Sequence, residues 1–233
     1  MNLLQMLNNV LTQSGFLEKG SFTNGVDPDD KQMVAIANRA AYEIFNYYKW
    51  PALRNTYTFT FNEGQSVYRL PDDYQDMMPN SAWELEGQRP VDFPVSDNQW
   101  FLYKFTDWGD GGTVRAKIYG KQIEVIQPVG SNGFTFEYIS KWPIVAADGS
   151  RKEFFTADTD TWSLDDQLLI LGTQAHWQQT KQMPSYQELF GNYRLKMSEA
   201  IGRAAGSKTI GGFSGGSSFW NTRGPYTPLW KHH

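Results

Sequence analysis

Hydrophobic positions recur along this chain with two periods, one near four residues and one of two. Leu3, Leu4, Leu7, Val10 and Leu11 keep helical spacing, which predicts a short amphipathic helix from Asn2 to about Thr12, stopping near Gly15. A second helix is announced by its start: Asp27 stands at the N-cap, Pro28 at the first helical position, and Asp29 and Asp30 in the first turn. Met33, Ala37, Ala40, Ala41, Ile44 and Tyr48 then trace one apolar face, and the helix should end before Trp50-Pro51. From Arg54 the period becomes two. Tyr57, Phe59 and Phe61 alternate with Thr56, Thr58 and Thr60, and Asn62-Glu63-Gly64 turns the chain into Val67-Tyr68-Arg69-Leu70, which reads as a hairpin.

Further strands are expected at 82–86, 114–119, 122–126 and 134–139, with Gly120-Lys121 a two-residue hairpin turn and 130–133 a longer one. Two helices follow, each opened by a capping-box pattern, Ser163-Leu164-Asp165-Asp166 and Ser185-Tyr186-Gln187-Glu188. Leu168, Leu169, Leu171, Ala175 and Trp177 give the first a broad apolar face. Leu189, Tyr193, Met197, Ala200, Ile201 and Ala204 give the second a stripe that Gly206 ends.

The pattern therefore predicts an α+β fold: a four-helix bundle formed by residues 1–53 and 156–205, with an antiparallel β-module, residues 54–155, inserted between helices 2 and 3. An extended tail, residues 206–233, completes it. A separately folded β-domain is the alternative. With 40% hydrophobic and 15% aromatic residues in 233, the chain can bury a sizeable core.

The tail differs in kind from the rest. It has no Asp or Glu, six glycines, and the apolar side chains Phe213, Phe219, Trp220, Tyr226, Leu229 and Trp230. Such a segment cannot bury its own aromatics, so it reads as a flexible strap awaiting a partner. Charge follows the same division, since residues 1–201 carry −8 and residues 202–233 carry +4 within a total of −4. A basic tail on an acidic body suits docking on an acidic neighbour or contact with DNA phosphates; a merely solvated tail is the plain alternative.

Candidate chemistry is sparse. Without cysteine the chain has no disulfide, thiol nucleophile or thiolate metal site. The histidines are His176, His232 and His233, too few for a zinc site or a Ser-His-Asp set, and His176 reads as an ordinary helix-face residue. Asp158-Thr159-Asp160 lacks the Asn or Asp at 162 and the glycine at 163 of a calcium loop, so these are helix-start acids; no metal is expected. Asp107-Trp108-Gly109-Asp110-Gly111-Gly112 reads as a loop tip. No phosphate loop or dinucleotide fingerprint is present, so no cofactor and no catalytic residue is expected. A glycosidase-like or carbohydrate-binding role stays open, because paired carboxylates need no fixed spacing and Trp83, Trp100, Trp108 and Trp142 are able to stack on sugars. No apolar run approaches the roughly 20 residues that cross a bilayer and the first 16 lack a signal-peptide pattern, so a protein made in the cytoplasm, with no membrane partner, is expected.

One ordered series of segments does carry a family resemblance. Asn38-Arg39 lies in the long helix, Trp50-Pro51-Ala52-Leu53 closes it, and Tyr68-Arg69-Leu70-Pro71-Asp72-Asp73-Tyr74 follows. Next come Ala82-Trp83, Arg89-Pro90-Val91 and Phe136-Glu137-Tyr138-Ile139-Ser140-Lys141-Trp142. Phe155-Thr156-Ala157-Asp158-Thr159-Asp160 then leads into Leu164-Asp165-Asp166-Gln167-Leu168-Leu169-Ile170-Leu171-Gly172. In this order, over about residues 1–205, the chain resembles the head-to-tail adaptor, or head-tail connector, proteins of tailed bacteriophages. The resemblance implies a structural virion protein at the head-tail junction, a self-assembled ring, typically of twelve copies, between the portal protein and the tail or nozzle protein. Viral DNA would pass through the ring. Asn38, Arg39, Trp50, Tyr186 and Tyr193 are then candidates for the contacts between ring subunits. The family's C-terminal extension engages the portal, which makes Phe213, Phe219, Trp220, Arg223, Tyr226, Leu229 and Trp230 the candidate docking residues. That last assignment rests on the placement and composition of the tail, which lies beyond the resembling segment.

Overall fold

The computed structural model describes residues 1–93, 96–106, 112–126 and 131–206. Its helices are α1 (Leu3–Gln13), α2 (Pro28–Tyr47), α3 (Asp97–Phe105), α4 (Asp166–Thr180) and α5 (Tyr186–Gly206). Its strands are β1 (Arg54–Thr60), β2 (Val67–Arg69), β3 (Tyr74–Met77), β4 (Trp83–Glu84), β5 (Arg115–Tyr119), β6 (Gln122–Ile126), β7 (Gly133–Ser140), β8 (Ile144–Val145), β9 (Arg151–Lys152) and β10 (Thr161–Trp162). The chain is thus α+β with antiparallel sheets, as the pattern predicts.

Local chemistry sets the helix starts. Asn2 Oδ1 accepts from Gln5 N–H at 2.9 Å while Gln5 Oε1 accepts from Asn2 N–H at 3.1 Å, a reciprocal capping box that starts α1. Asp27 caps α2 through Asp29 N–H, with Pro28 at the first position. At α4 the expected cap is one turn-step off. Asp165, not Ser163, is the N-cap and accepts from Gln167 and Leu168 N–H. Ser163 stands two residues too early, whereas the Asp165 carboxylate, directly before the helix, reaches its free N–H groups. Ser185 Oγ, at the start of α5, donates instead to Gln178 Oε1 on α4, so it ties two helices together.

α4 packs against α1, α2 and α5. Leu3, Leu7 and Val10 of α1, Met33, Ala37 and Ile44 of α2, Leu168 and Ile170 of α4, and Met197 and Ala200 of α5 share one hydrophobic cluster. Each fully buried aliphatic side chain contributes about 1.5–3 kcal/mol. Ile144 of β8, Trp162 of β10 and Phe155 join the same cluster, so the small sheet ordered β10-β8-β9 belongs to the helical side.

A second cluster fills the space between two other sheets. In one, β7 is central, with β1 along one side and β3 and β4 following each other along the other; the second is ordered β2-β6-β5. Phe134, Phe136 and Tyr138 face this cluster from β7, whereas Ile139, on the opposite face, packs with the helices. The period-two alternation of a strand therefore makes β7 the element shared by both cores.

Two predicted connections are corrected. β1 and β2 do not pair: β1 pairs with β7, Phe59 opposite Phe134, and β2 pairs with β6. The alternation of Tyr57, Phe59 and Phe61 fixed which face is buried, but an aromatic face finds its partner by packing, and Phe59 meets Phe134 at 4.3 Å and Tyr68 at 4.9 Å between centroids. The expected longer hairpin at 130–133 is a crossing between sheets, since β6 and β7 belong to different ones; residues 127–130 lie outside the described set. The Gly120-Lys121 turn does join paired strands, with Gly120 at φ +58°.

Candidate interaction surfaces

A groove of about 600 Å³ runs between α2 and α5, the two helices that flank α4. Glu43, Asn46 and Tyr47 form one wall; Phe190, Tyr193, Met197 and Ile201, at steps of three and four, form the other. Gly172 of α4 makes this arrangement possible, because a Cβ there would stand 3.0 Å from Tyr193 Cε2 and 3.4 Å from Ala40 Cβ. The missing side chain lets the Tyr193 ring lie against α4.

Polar groups sit beneath this apolar lining. His176 is buried, and its Nε2 is 2.8 Å from Glu43 Oε2, while Glu43 Oε1 accepts from Arg39 Nε at 3.0 Å. A carboxylate oxygen accepts, so Nε2 carries a proton toward Glu43, and Nδ1 has no partner among the described residues. The imidazole meets Phe190 edge-on at 5.0 Å and Tyr193 at 6.5 Å. Tyr193 is 6% exposed, lines the groove, and its hydroxyl also lacks a partner among the described residues. Burial, and then the charge of Glu43, hold that phenol well above its ordinary pKa, so it is a neutral donor and acceptor.

A second hollow of about 570 Å³ adjoins the first at the helix–sheet junction, lined by Tyr48, Pro51, Gln75, Met78 and Ile139. Asn46 and Tyr47 line both, and Tyr47, 70% exposed, stands as a ridge between them. A third surface belongs to α3. Trp100 is its buried anchor, while Phe101 and Phe105 stack nearly parallel at 6.0 Å and stand 51% and 73% exposed. Lys104 pairs with Glu124, and Lys117 with Asp97, so α3 is tied to β5 and β6 by its polar flank.

The residues singled out from sequence fall in different places. Asn38 Nδ2 donates to Phe155 O at 3.2 Å and Asn38 Oδ1 accepts from Phe155 N–H at 2.7 Å, a clamp between α2 and the segment before β10. Trp50 is 5% exposed and donates its indole N–H to Ile44 O at 2.8 Å. Both are engaged within the chain. Arg39 is exposed beside Glu43, Tyr186 is half-buried at the start of α5, and Tyr193 lines the groove, so only Arg39 and Tyr193 meet, through Glu43. Phe213, Phe219, Trp220, Arg223, Tyr226, Leu229 and Trp230 lie outside the described residues, as do residues 107–111.

Other expectations are revised by burial. His176 lies on a face of α4, as expected, and that face is buried, so the residue links α4 to α2. Trp100 is 1% exposed and offers no stacking face; Trp83 is half-exposed, and Trp108 is outside the described residues. Asp158 and Asp160 organise backbone. Asp158 accepts from Ser21 Oγ and from Phe22 and Thr23 N–H, and Asp160 accepts from Thr156 and Ala157 N–H and pairs with Lys152 at 2.6 Å. Burial pushes the Asp158 carboxyl up, but these hydrogen bonds outweigh it and leave its pKa below the ordinary value. Among the described residues no three His, Asp or Glu side chains gather as a metal site, and no helix is long and apolar enough to cross a membrane.

Glu43 and Tyr47 were not legible as surface features. Tyr47, a large side chain off the buried stripe of α2, is the one signal that could have marked that wall. An α+β protein whose helical surface carries open grooves and a protruding aromatic pair has the features of an assembly component. Residues 1–212 match the family model of the SU10 adaptor protein, and the chain belongs to that family, the phage head-to-tail adaptor class that its sequence resembles. A search of curated proteins finds no match.

Proposed function

We propose that this chain is the structural adaptor of a phage head-tail junction: a non-enzymatic virion protein that closes into a ring, of twelve copies, under the portal and joins it to the tail. The observation that carries the reading is the adaptor-family match over residues 1–212, nearly the whole chain. The surfaces support it. A cyclic ring needs two different patches on each subunit, and the α2–α5 side and the exposed pair on α3 are two separate candidates. In this reading α1, α2, α4 and α5 act as one bundle, residues 1–53 and 156–205, with the β-module of residues 54–155 as its insertion; the second hydrophobic cluster supports a separate module, while Ile139, Ile144 and Phe155 at its C-terminal end pack with the helices. Residues 206–233 dock on the portal through Phe219, Trp220 and Trp230, and the acidic body surrounds the DNA path without holding phosphates. The cumulative effect of many modest contacts keeps the ring in place.

The test is genetic. Phage unable to make this protein should accumulate DNA-filled heads without attached tails, seen by electron microscopy of lysates. Normal tailed, infectious particles in its absence would remove the proposal.

A further inference from the structure

The groove between α2 and α5 combines features that the helical packing leaves unexplained. It is open and largely apolar, and Tyr193, which lines it, holds its hydroxyl buried without a partner among the described residues. Tyr193 is more than nine-tenths buried, yet it lines the opening. A volume of about 600 Å³ is in the range that takes a cluster of ring-sized groups.

We infer that the groove is the parking site of the chain's own C-terminal segment, residues 219–230, in the free adaptor before it meets the portal. This rests on the reading that the same segment later docks on the portal. Placement favours this occupant. One wall of the groove is α5, from Phe190 to Ile201, and residues 207–233 follow directly on the end of that helix at Gly206. Phe190 lies about 24 Å back along the helix at 1.5 Å per residue, and an extended chain from Gly206 reaches about 45 Å by Trp220. The glycines at 206, 211, 212, 215 and 216 allow the reversal that this path needs.

Chemistry points the same way. Residues 207–233 carry three bases and no acid, while the body, residues 1–201, carries −8; at the groove itself Arg194 stands beside Glu43, which Arg39 and His176 already engage, so the local match is apolar. Phe219, Trp220 and Tyr226 match the apolar walls of Phe190, Met197 and Ile201. A tethered segment acts at an effective concentration of about millimolar, so a modest intrinsic affinity keeps the groove filled. The parked strap covers aromatic surface in the free protein and gives it up when the portal competes for the same side chains.

The cysteine-free chain makes the test direct. In the full-length protein, Ser218→Cys is paired either with Ser198→Cys, which lines the groove, or with Leu195→Cys, which is exposed on α5 away from it. Both partners are within equal reach of the tail. The inference expects an intramolecular disulfide in the monomer that forms about tenfold faster with Ser198→Cys than with Leu195→Cys, an advantage that Trp220→Ala abolishes. Equal rates for the two pairs, or linkage between copies alone, would overturn it. Adding portal should slow the Ser198→Cys reaction. If the fast disulfide forms but deletion of residues 207–233 leaves portal binding intact, the parking site stands and the portal-docking reading fails. If the deletion abolishes portal binding while the two disulfide rates are equal, the reverse holds.

Discussion

Replacing Asn38 with alanine separates two roles that the sequence leaves superimposed on one residue. If Asn38 serves the fold, its work is the pair of hydrogen bonds to Phe155 O at 3.2 Å and from Phe155 N–H at 2.7 Å, which hold the segment before β10 on α2. Phe155 is 2% exposed and belongs to the helical cluster, so loosening its backbone also disturbs its ring. Each hydrogen bond contributes about 1 kcal/mol net, and a backbone group left without a partner costs about 1–3 kcal/mol. Asn38 itself is only half-buried, so water recovers part of the loss, and the sum comes to about 2–3 kcal/mol. At a urea slope of about 2–3 kcal/mol per molar, the unfolding midpoint should fall by about 1 M. Asn38→Asp keeps the acceptor for Phe155 N–H and loses the donor, so it should show a smaller shift. Tryptophan fluorescence in a urea titration measures both, and native mass of the variant with its partners measures assembly. A variant as stable as the parent to within about 0.5 kcal/mol, yet unable to assemble, would refute the clamp and make Asn38 an interface residue.

Three further outcomes are expected. Gly133→Ala should cost about 2–4 kcal/mol, because its Cβ would fall 2.3 Å from Phe59 O on the paired strand at a φ of +156°; a loss below about 0.5 kcal/mol in chemical denaturation would contradict the β1–β7 register. Asp158 has a folded-state pKa below its ordinary value, so its contribution is present above about pH 4, near the unfolded value, and is lost as pH falls through the folded one; Asp158→Asn should flatten the stability profile in that acid window, and an unchanged slope would count against the loop clamp. Phe101→Ser with Phe105→Ser should leave the melting temperature within a few degrees, because both rings are exposed, while weakening attachment to the junction; a collapse in stability would show that the pair belongs to the core.

How far the sequence could be read follows from the range of the forces involved. α1 and α2 were legible because their signals are local: Leu3, Leu7, Val10 and Leu11 keep helical spacing, and Asp27 stands directly before Pro28. Strands were located by alternation but not paired, since the partner of Phe59 is Phe134, 75 positions away, and only packing selects it. α3 escaped notice because Trp100 is its one buried side chain, and Phe101, Leu102 and Phe105, which face outward, erase the helical period. The α2–α5 groove needed Glu43, His176 and Tyr193 to converge from distant segments. Of the tail, composition was the whole of what could be read.

The account stands on assembly with the portal, and the mass of the complex is its most direct test. Native mass spectrometry of this protein mixed with the portal of the same virus should give a closed ring of twelve adaptor copies bound to the portal. A protein that stays monomeric and ignores the portal would contradict it.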